Sequence, residues 1–261
     1  MLPFTTYLID LDGVIYRGNE LLPGAQAFIA WLDAHQKKYL FLTNNSFASE
    51  RQILEKLKGL GIFTDAQHLL GAGQAAVQNI ARRFPAGTVY LVGEQPMQEL
   101  VRNYNLKLAS PDAQQADVVL VGLDRFFDYK KLTHAVQIVR GGAAFIAINR
   151  DPLLPVVGGL IPGCGAMVAA IEASSDRSPE VVGKPQPMLL QEAMRLLHST
   201  PDETVMIGDS LDVDIKGGEA AGTHTLLVLS GRSSRADLQT FPNKPDYVFE
   251  NIKTVVDELN K

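Results

Sequence analysis

TYLIDLDG, residues 6–13, is the stretch on which the reading of the fold turns. Its first four residues, Thr6–Ile9, are apolar and rich in β-formers, as a parallel strand buried on both faces requires. Two aspartates one residue apart follow, with a glycine behind them. The pattern returns at Tyr39–Leu42, which runs into Thr43-Asn44-Asn45-Ser46, and at Thr204–Ile207, which runs into Gly208-Asp209-Ser210. Thr225–Leu229 and Tyr247–Phe249 have the composition of two further strands. Amphipathic stretches lie between them: Pro23 can open a helix in which Phe28, Trp31 and Leu32 share a face, and Ser49–Leu60 groups Ile53, Leu54 and Leu57. This alternation predicts a layered α/β sheet.

The middle of the chain repeats the pattern. Val89–Val92, Val118–Gly122 and Ala143–Ile148 read as strands, with helical segments around Met97–Tyr104 and Lys130–Val139. The chemically capable motifs flank this stretch and are nearly absent inside it. The expected organisation is therefore a discontinuous core at 1–85 and 179–261 with a separate α/β module inserted at 86–178.

Several strand ends carry carboxylates or hydrogen-bond donors, and in open parallel sheets ligands bind beyond the carboxyl ends of the strands. Carboxylates gathered there repel one another unless a cation or proton intervenes. Oxygen-only ligands suit a hard ion such as Mg²⁺, and the absence of histidine and thiolate from these motifs disfavours Zn²⁺. Lys184, in Gly183-Lys184-Pro185, can add a positive charge. A carboxylate beside a metal can attack phosphorus, with Lys184, the Thr43 hydroxyl and loop amides neutralising the phosphoryl group. A second carboxylate can protonate the leaving oxygen and then activate water.

DLDGVIYRG, LTNNS, GKPQP and GDSLDVDI together resemble the haloacid dehalogenase superfamily, and within it the NagD-like, p-nitrophenylphosphatase-type branch. The resemblance extends through Pro162–Gly165 (PGCG) and Ala221–Gly231 to nearly the whole chain. It implies a Rossmann-like parallel-sheet core with a large inserted α/β cap domain. It also implies a Mg²⁺-dependent phosphatase that hydrolyses small phosphomonoesters through an aspartyl-phosphate. By the resemblance Asp10 is nucleophile and metal ligand, and Asp12 is the general acid/base whose main-chain carbonyl reaches the metal. Thr43 and Asn44 bind phosphate, Lys184 steadies nucleophile and phosphate, Asp209 binds Mg²⁺, and Asp214 supports metal-bound water. Ser210 and Val213 stand where other residues are common in the family, which bears on hydrogen bonding around the metal. Asn149, Arg150 and Asp151, then the Gly158–Gly165 loop, are the cap's candidates for substrate contact.

The same motifs also serve a phosphotransferase or mutase, and receiver-type signalling modules share some of the groups. Receivers are about half as long and lack an inserted cap. Retention of Asp12 favours turnover over stable phosphorylation.

The whole composition is that of an ordinary soluble globular protein. Of 261 residues 46% are hydrophobic and 20% charged, and the net charge of -5 argues against nucleic acid as a partner. The expected partner is a small phosphorylated metabolite, with homo-oligomerisation left open. The single Cys164 can form no internal disulfide and reads as a packing residue. MLPFTTYLIDLDG has neither a basic leader nor a long apolar run, and no segment approaches the roughly 20 apolar residues of a membrane span. The expected location is the cytoplasm. The five histidines show no ligand spacing and read as structural or surface residues.

Overall fold

The computed structural model describes residues 2–45, 49–156 and 158–261. Ser46, the last residue of the expected Thr43–Ser46 loop, lies outside them. The chain forms two compact units: one of residues up to 43 with 50–70 and 184–261, the other of 44–49 and 71–183.

The first unit is built on a six-stranded sheet, in the order Tyr247–Phe249, His224–Val228, Thr204–Gly208, Thr6–Asp10, Lys38–Thr43, Leu69–Gly71. Thr6–Asp10 pairs in parallel with both neighbours, Ile9 lying opposite Ile207 on one side and Phe41 on the other. From this central strand the chain steps one way to Lys38–Thr43 and Leu69–Gly71. It then restarts on the other side at Thr204–Gly208 and moves outward. The reversal makes the carboxyl end of Thr6–Asp10 a topological switch point, where loops diverge and leave a crevice. The motif-bearing strands run slightly further than their apolar residues suggest, because Asp10, Thr43 and Gly208 continue the backbone ladder.

Burial follows the strand pattern. Tyr7, Leu8 and Ile9 are fully enclosed, as are Phe41 and Leu42. Helix Ala25–Ala34 buries Phe28, Ile29 and Leu32. The Phe28 ring meets that of Tyr7 edge-on at 6.0 Å. Trp31, at the rim of the helix face, stacks on His35 at 4.2 Å. A second histidine, His68, stacks on Tyr39 at 4.4 Å, a packing role in keeping with the scattered histidine spacing.

The second unit has a five-stranded sheet of its own, ordered Glu180–Val181, Ala144–Ala147, Val118–Val121, Thr88–Val92, Lys107–Leu108. All its pairings are parallel. Its core gathers Val119, Val121, Ile138, Phe145, Met167, Val168 and Ile171. The unit starts earlier than residue 86. Helix Ala72–Arg83 belongs to it, with Gln78 donating to the Tyr104 hydroxyl at 2.8 Å and Arg83 forking onto Glu180 at 2.5 and 2.8 Å. The two-residue edge strands give no periodic signal to read. The 158–165 segment, expected as a loop, contributes Gly159–Pro162 to an antiparallel hairpin with Leu153–Val156.

No helix among the described residues is long and apolar enough to cross a membrane. Cys164 opens helix Cys164–Ser175 and is 3% exposed, its thiol directed at the Val121 carbonyl at 3.5 Å. Burial pushes that thiol up to about 11, so little thiolate exists near neutrality. Native protein is expected to react with a thiol-titrating disulfide reagent at least about tenfold more slowly than guanidinium-unfolded protein. Equal rates in the two states would contradict this burial.

Candidate active site

Lys184 organises the end of the central strand. Its ammonium lies 2.5 Å from Asp10 Oδ1 and 2.7 Å from Asp214 Oδ1, with its side chain 1% exposed. Burial works against the charged lysine, but the two carboxylates outweigh it and raise its pKa. Lys184 is therefore cationic at any physiological pH. Removing one partner from a buried ionic set of this kind costs about 3–5 kcal/mol, because the remaining charges lose their compensation.

Asp214 is held from both sides. While Oδ1 accepts from Lys184, Oδ2 accepts from the main-chain N–H groups of Asp209 and Ser210, at 3.2 and 3.1 Å. The intervening segment makes this closure: Leu211–Ile215 forms one wide helical turn leading into helix Lys216–Ala221. Ser210 meets the site through its backbone, accepting from the Asp214 and Ile215 N–H groups. The unusual residue at 210 thus leaves Asp214 anchored. Val213 has no described role at the carboxylates.

Asp10, Asp209 and Asp214 present oxygens that all lie within 4.8 Å of one another. One ammonium faces three carboxylates, so the cluster carries excess negative charge. Burial pushes Asp10 up to about 8 against the pull of Lys184, and the charges of Asp214 and Asp209 add to the rise. Asp209 is pushed up to about 6 by burial and by Asp214, with the Arg232 N–H and Lys184 opposing. Such a cluster gains from a cation. An all-oxygen donor set without histidine or cysteine fits a hard divalent ion.

Two loops fix the Asp209 side chain. The Arg232 N–H donates to Asp209 Oδ2 at 2.6 Å, and the Ser233 N–H to the Asp209 carbonyl at 3.0 Å. Gly13 and Gly231 close in on the same oxygen: a Cβ on Gly13 would stand 2.2 Å from Oδ2, and one on Gly231 1.9 Å. Gly13 also has φ of +78°, a left-handed conformation that a larger residue adopts at a cost.

Asp12 stands apart from the carboxylate cluster. The residue is exposed, yet the protein around its carboxyl desolvates it enough to raise its pKa against the opposing Lys56 charge and Gly18 N–H. A raised carboxyl is the direction a proton donor needs. Lys56 sits 3.6 Å from the centroid of the Tyr16 ring, and Tyr16 is 5% exposed. Lys56 and Arg232 escaped the sequence reading, while Tyr16, Ser230 and Gly231 lie in stretches that carry the resemblance but received no role there. Lys56 lies in the last turn of an amphipathic helix, where a lysine reads as solvated, while the glycine of LVLSG was the one available signal for the loop.

Thr43 ends the strand beside Thr6–Asp10, and Asn44 follows it. In the second unit Asn149 is 4% exposed, donating to the Asn44 carbonyl at 2.8 Å and accepting from the Asp151 N–H at 3.1 Å. Arg150 pairs with Glu172 at 2.8 Å. These partners tie Asn149 and Arg150 into the insert's own structure.

Comparison with known proteins agrees with this geometry. Residues 7–107 match the family model of haloacid dehalogenase-like hydrolases, and residues 181–255 match that of HAD-hydrolase-like proteins. An acid sugar phosphatase of Staphylococcus saprophyticus is 33% identical over 258 residues, covering 99% of both chains. Among solved structures, a p-nitrophenyl phosphatase from Archaeoglobus fulgidus superposes with a TM-score of 0.90 at 33% identity, covering 98% of this chain and 99% of that one. NagD from Escherichia coli K-12 gives 0.89 at 29% identity, covering 97% and 98%. With its core strands, acidic cluster and full-length relatives in agreement, the chain belongs to the haloacid dehalogenase-like hydrolases as a NagD-like phosphatase acting on phosphomonoesters.

Proposed function

We propose that the protein is a Mg²⁺-dependent cytoplasmic phosphatase of small phosphorylated metabolites, sugar phosphates above all, working through an aspartyl-phosphate on Asp10. The observation that carries this reading is the buried Lys184 bridge between Asp10 and Asp214. It orients the Asp10 carboxyl at the end of the central strand and opposes the rise in pKa that burial imposes on it. The name of the staphylococcal relatives supports sugar phosphates, and that of the archaeal neighbour supports p-nitrophenyl phosphate as an artificial substrate. Cytoplasmic location rests on the lone buried cysteine, which has no use for an oxidising compartment.

In this mechanism the Thr43 hydroxyl, Asn44 and Lys184 hold the phosphate, and an Asp10 carboxylate oxygen attacks phosphorus. The bond from phosphorus to the ester oxygen breaks, and Asp12 delivers a proton to that oxygen. The ionised Asp12 then takes a proton from water, whose oxygen attacks the acyl phosphate and releases inorganic phosphate and Asp10. Asp10, Asp209 and the Asp12 carbonyl would hold Mg²⁺, with Asp214 ordering its surroundings. When bound, the ion neutralises charge on the phosphoryl oxygens. The inserted unit is assigned the choice among esters. Of its candidates, Asn149 and Arg150 have side chains already engaged within that unit, with the Asn44 carbonyl and with Glu172.

Asp10→Asn should reduce kcat for p-nitrophenyl phosphate by at least about 10³-fold with an unchanged circular dichroism spectrum. A mutant as active as wild type would remove Asp10 from the role of nucleophile. With sugar phosphates, equimolar free phosphate and sugar are expected. Phosphate moved to another hydroxyl would instead indicate transfer.

The acidic cluster also sets a pH dependence. Asp10 and Asp209 hold their protons more tightly folded, at about 8 and about 6, than an unfolded aspartate does at about 3.9. Their contribution to stability is complete below the unfolded value and is lost as pH rises through the folded ones. Metal-free protein should therefore lose melting temperature between pH 5 and 9 relative to an Asp10→Asn, Asp209→Asn double variant. The increase in melting temperature on adding Mg²⁺ should grow over the same interval, since the ion binds the ionised form. A Mg²⁺ effect that shrank with rising pH would contradict the cation site.

A further inference from the structure

The hairpin that follows Asp12 is tied to the loop that walls in Asp209. Tyr16–Arg17 and Glu20–Leu21 form a two-stranded antiparallel ribbon, with Arg17 opposite Glu20. From this ribbon the Arg17 guanidinium reaches across more than 200 positions of sequence to donate to the Ser230 carbonyl, with Gly231 O 3.5 Å from the same nitrogen. A second tie runs in the opposite direction: the Ser230 hydroxyl donates to the Gly13 carbonyl at 2.6 Å. The next residues of that loop are the ones that touch Asp209. Gly231 admits no Cβ beside Oδ2, and the Arg232 N–H holds that oxygen at 2.6 Å.

We propose that Arg17 and Ser230 form a latch that positions Asp209 for the divalent cation. The latch draws the hairpin and the 230–232 loop together so that Gly13, Gly231 and the Arg232 N–H leave the carboxylate a single orientation. This inference rests on the reading of Asp209 as a metal ligand. Arg17 is a positioning residue: its described bonds are to loop carbonyls, and its effect passes through the loop to Asp209. A guanidinium is suited to this, since one terminal nitrogen carries two in-plane hydrogens that can face the adjacent Ser230 and Gly231 carbonyls. Groups that orient a metal's direct ligands commonly change metal affinity by 10–100-fold. A latch acting one step further out should fall near the lower end of that range.

Charge and geometry predict opposite signs here. Removing a cation near an acidic cluster would by Coulomb's law strengthen metal binding. Loosening the wall around Asp209 would weaken it.

The test is titration of the purified full-length protein with Mn²⁺ alone, free ion being read by electron paramagnetic resonance, with melting temperature and kinetics recorded in parallel. Arg17→Met is expected to raise the Mn²⁺ Kd about tenfold. The accompanying loss in kcat/KM for p-nitrophenyl phosphate should be largely recovered at high metal concentration. Arg17→Lys should restore part of the affinity, and Ser230→Ala should raise Kd about threefold to fivefold by removing the other tie. Unchanged or tighter Mn²⁺ binding in Arg17→Met would overturn the latch. So would a drop in melting temperature with Kd unmoved, which would mark Arg17 as an anchor of the hairpin only. If Arg17→Met fails to fold, Ser230→Ala alone decides, and wild-type affinity in it rejects the proposal. Asp209→Asn separates the two levels: if it binds Mn²⁺ as wild type does, the metal reading itself fails. If it loses the ion while both latch variants keep wild-type affinity, only the latch is wrong.

Discussion

A buried ammonium between two buried carboxylates governs this structure. Lys184 lies 174 residues from Asp10 and 30 from Asp214 along the chain, and each of the three is costly to bury alone. Together they satisfy one another. The compensation is incomplete, because Asp209 adds a third carboxylate and leaves the cluster short of positive charge. Burial first, and then the repulsion among the carboxylates, raise Asp10 and Asp209 above the ordinary aspartate range, and the deficit of positive charge suits the site to a divalent ion. The interaction that lets the site fold thus also leaves it prepared to bind.

The sheet topology is what makes the meeting of these residues feasible. Reversal of strand order beside Thr6–Asp10 places two motif-bearing strands as its direct neighbours, with matched carboxyl ends. Parallel pairing puts the tips of Thr6–Asp10, Lys38–Thr43, Thr204–Gly208, His224–Val228 and Tyr247–Phe249 at the same end of the sheet, so polar residues following apolar runs are collected there. The loops then impose order at finer scale. Asp214 is fixed by amides of its own turn, and Asp209 by glycines from two remote loops that approach too closely for any side chain.

The strands were legible because Thr6–Ile9, Tyr39–Leu42 and Thr204–Ile207 are brief apolar runs that end abruptly in polar residues. The insert's main strands were legible for the same reason. Its start was not, since helix Ala72–Arg83 is amphipathic in the ordinary way and its allegiance depends on contacts such as Gln78 with Tyr104. Asn149 and Arg150 were singled out as polar residues after a strand, but polarity alone does not distinguish a group that meets a ligand from one that braces a backbone.

By itself the sequence determined the main apolar strands and their alternation with helices, the aspartates at strand ends, and the oxygen-only donor chemistry suited to a hard cation. These follow from local composition and periodicity, which a chain carries wherever it goes. Only the tertiary structure decided that Asp214 is locked to Lys184 while Asp12 stands outside the carboxylate cluster. It alone drew Lys56, Arg17 and the 230–232 loop into the surroundings of the site. Lysines and arginines on helix and hairpin surfaces look alike in sequence, because their role depends on what lies within a few ångströms. For Arg17 that neighbour lies 213 residues away along the chain.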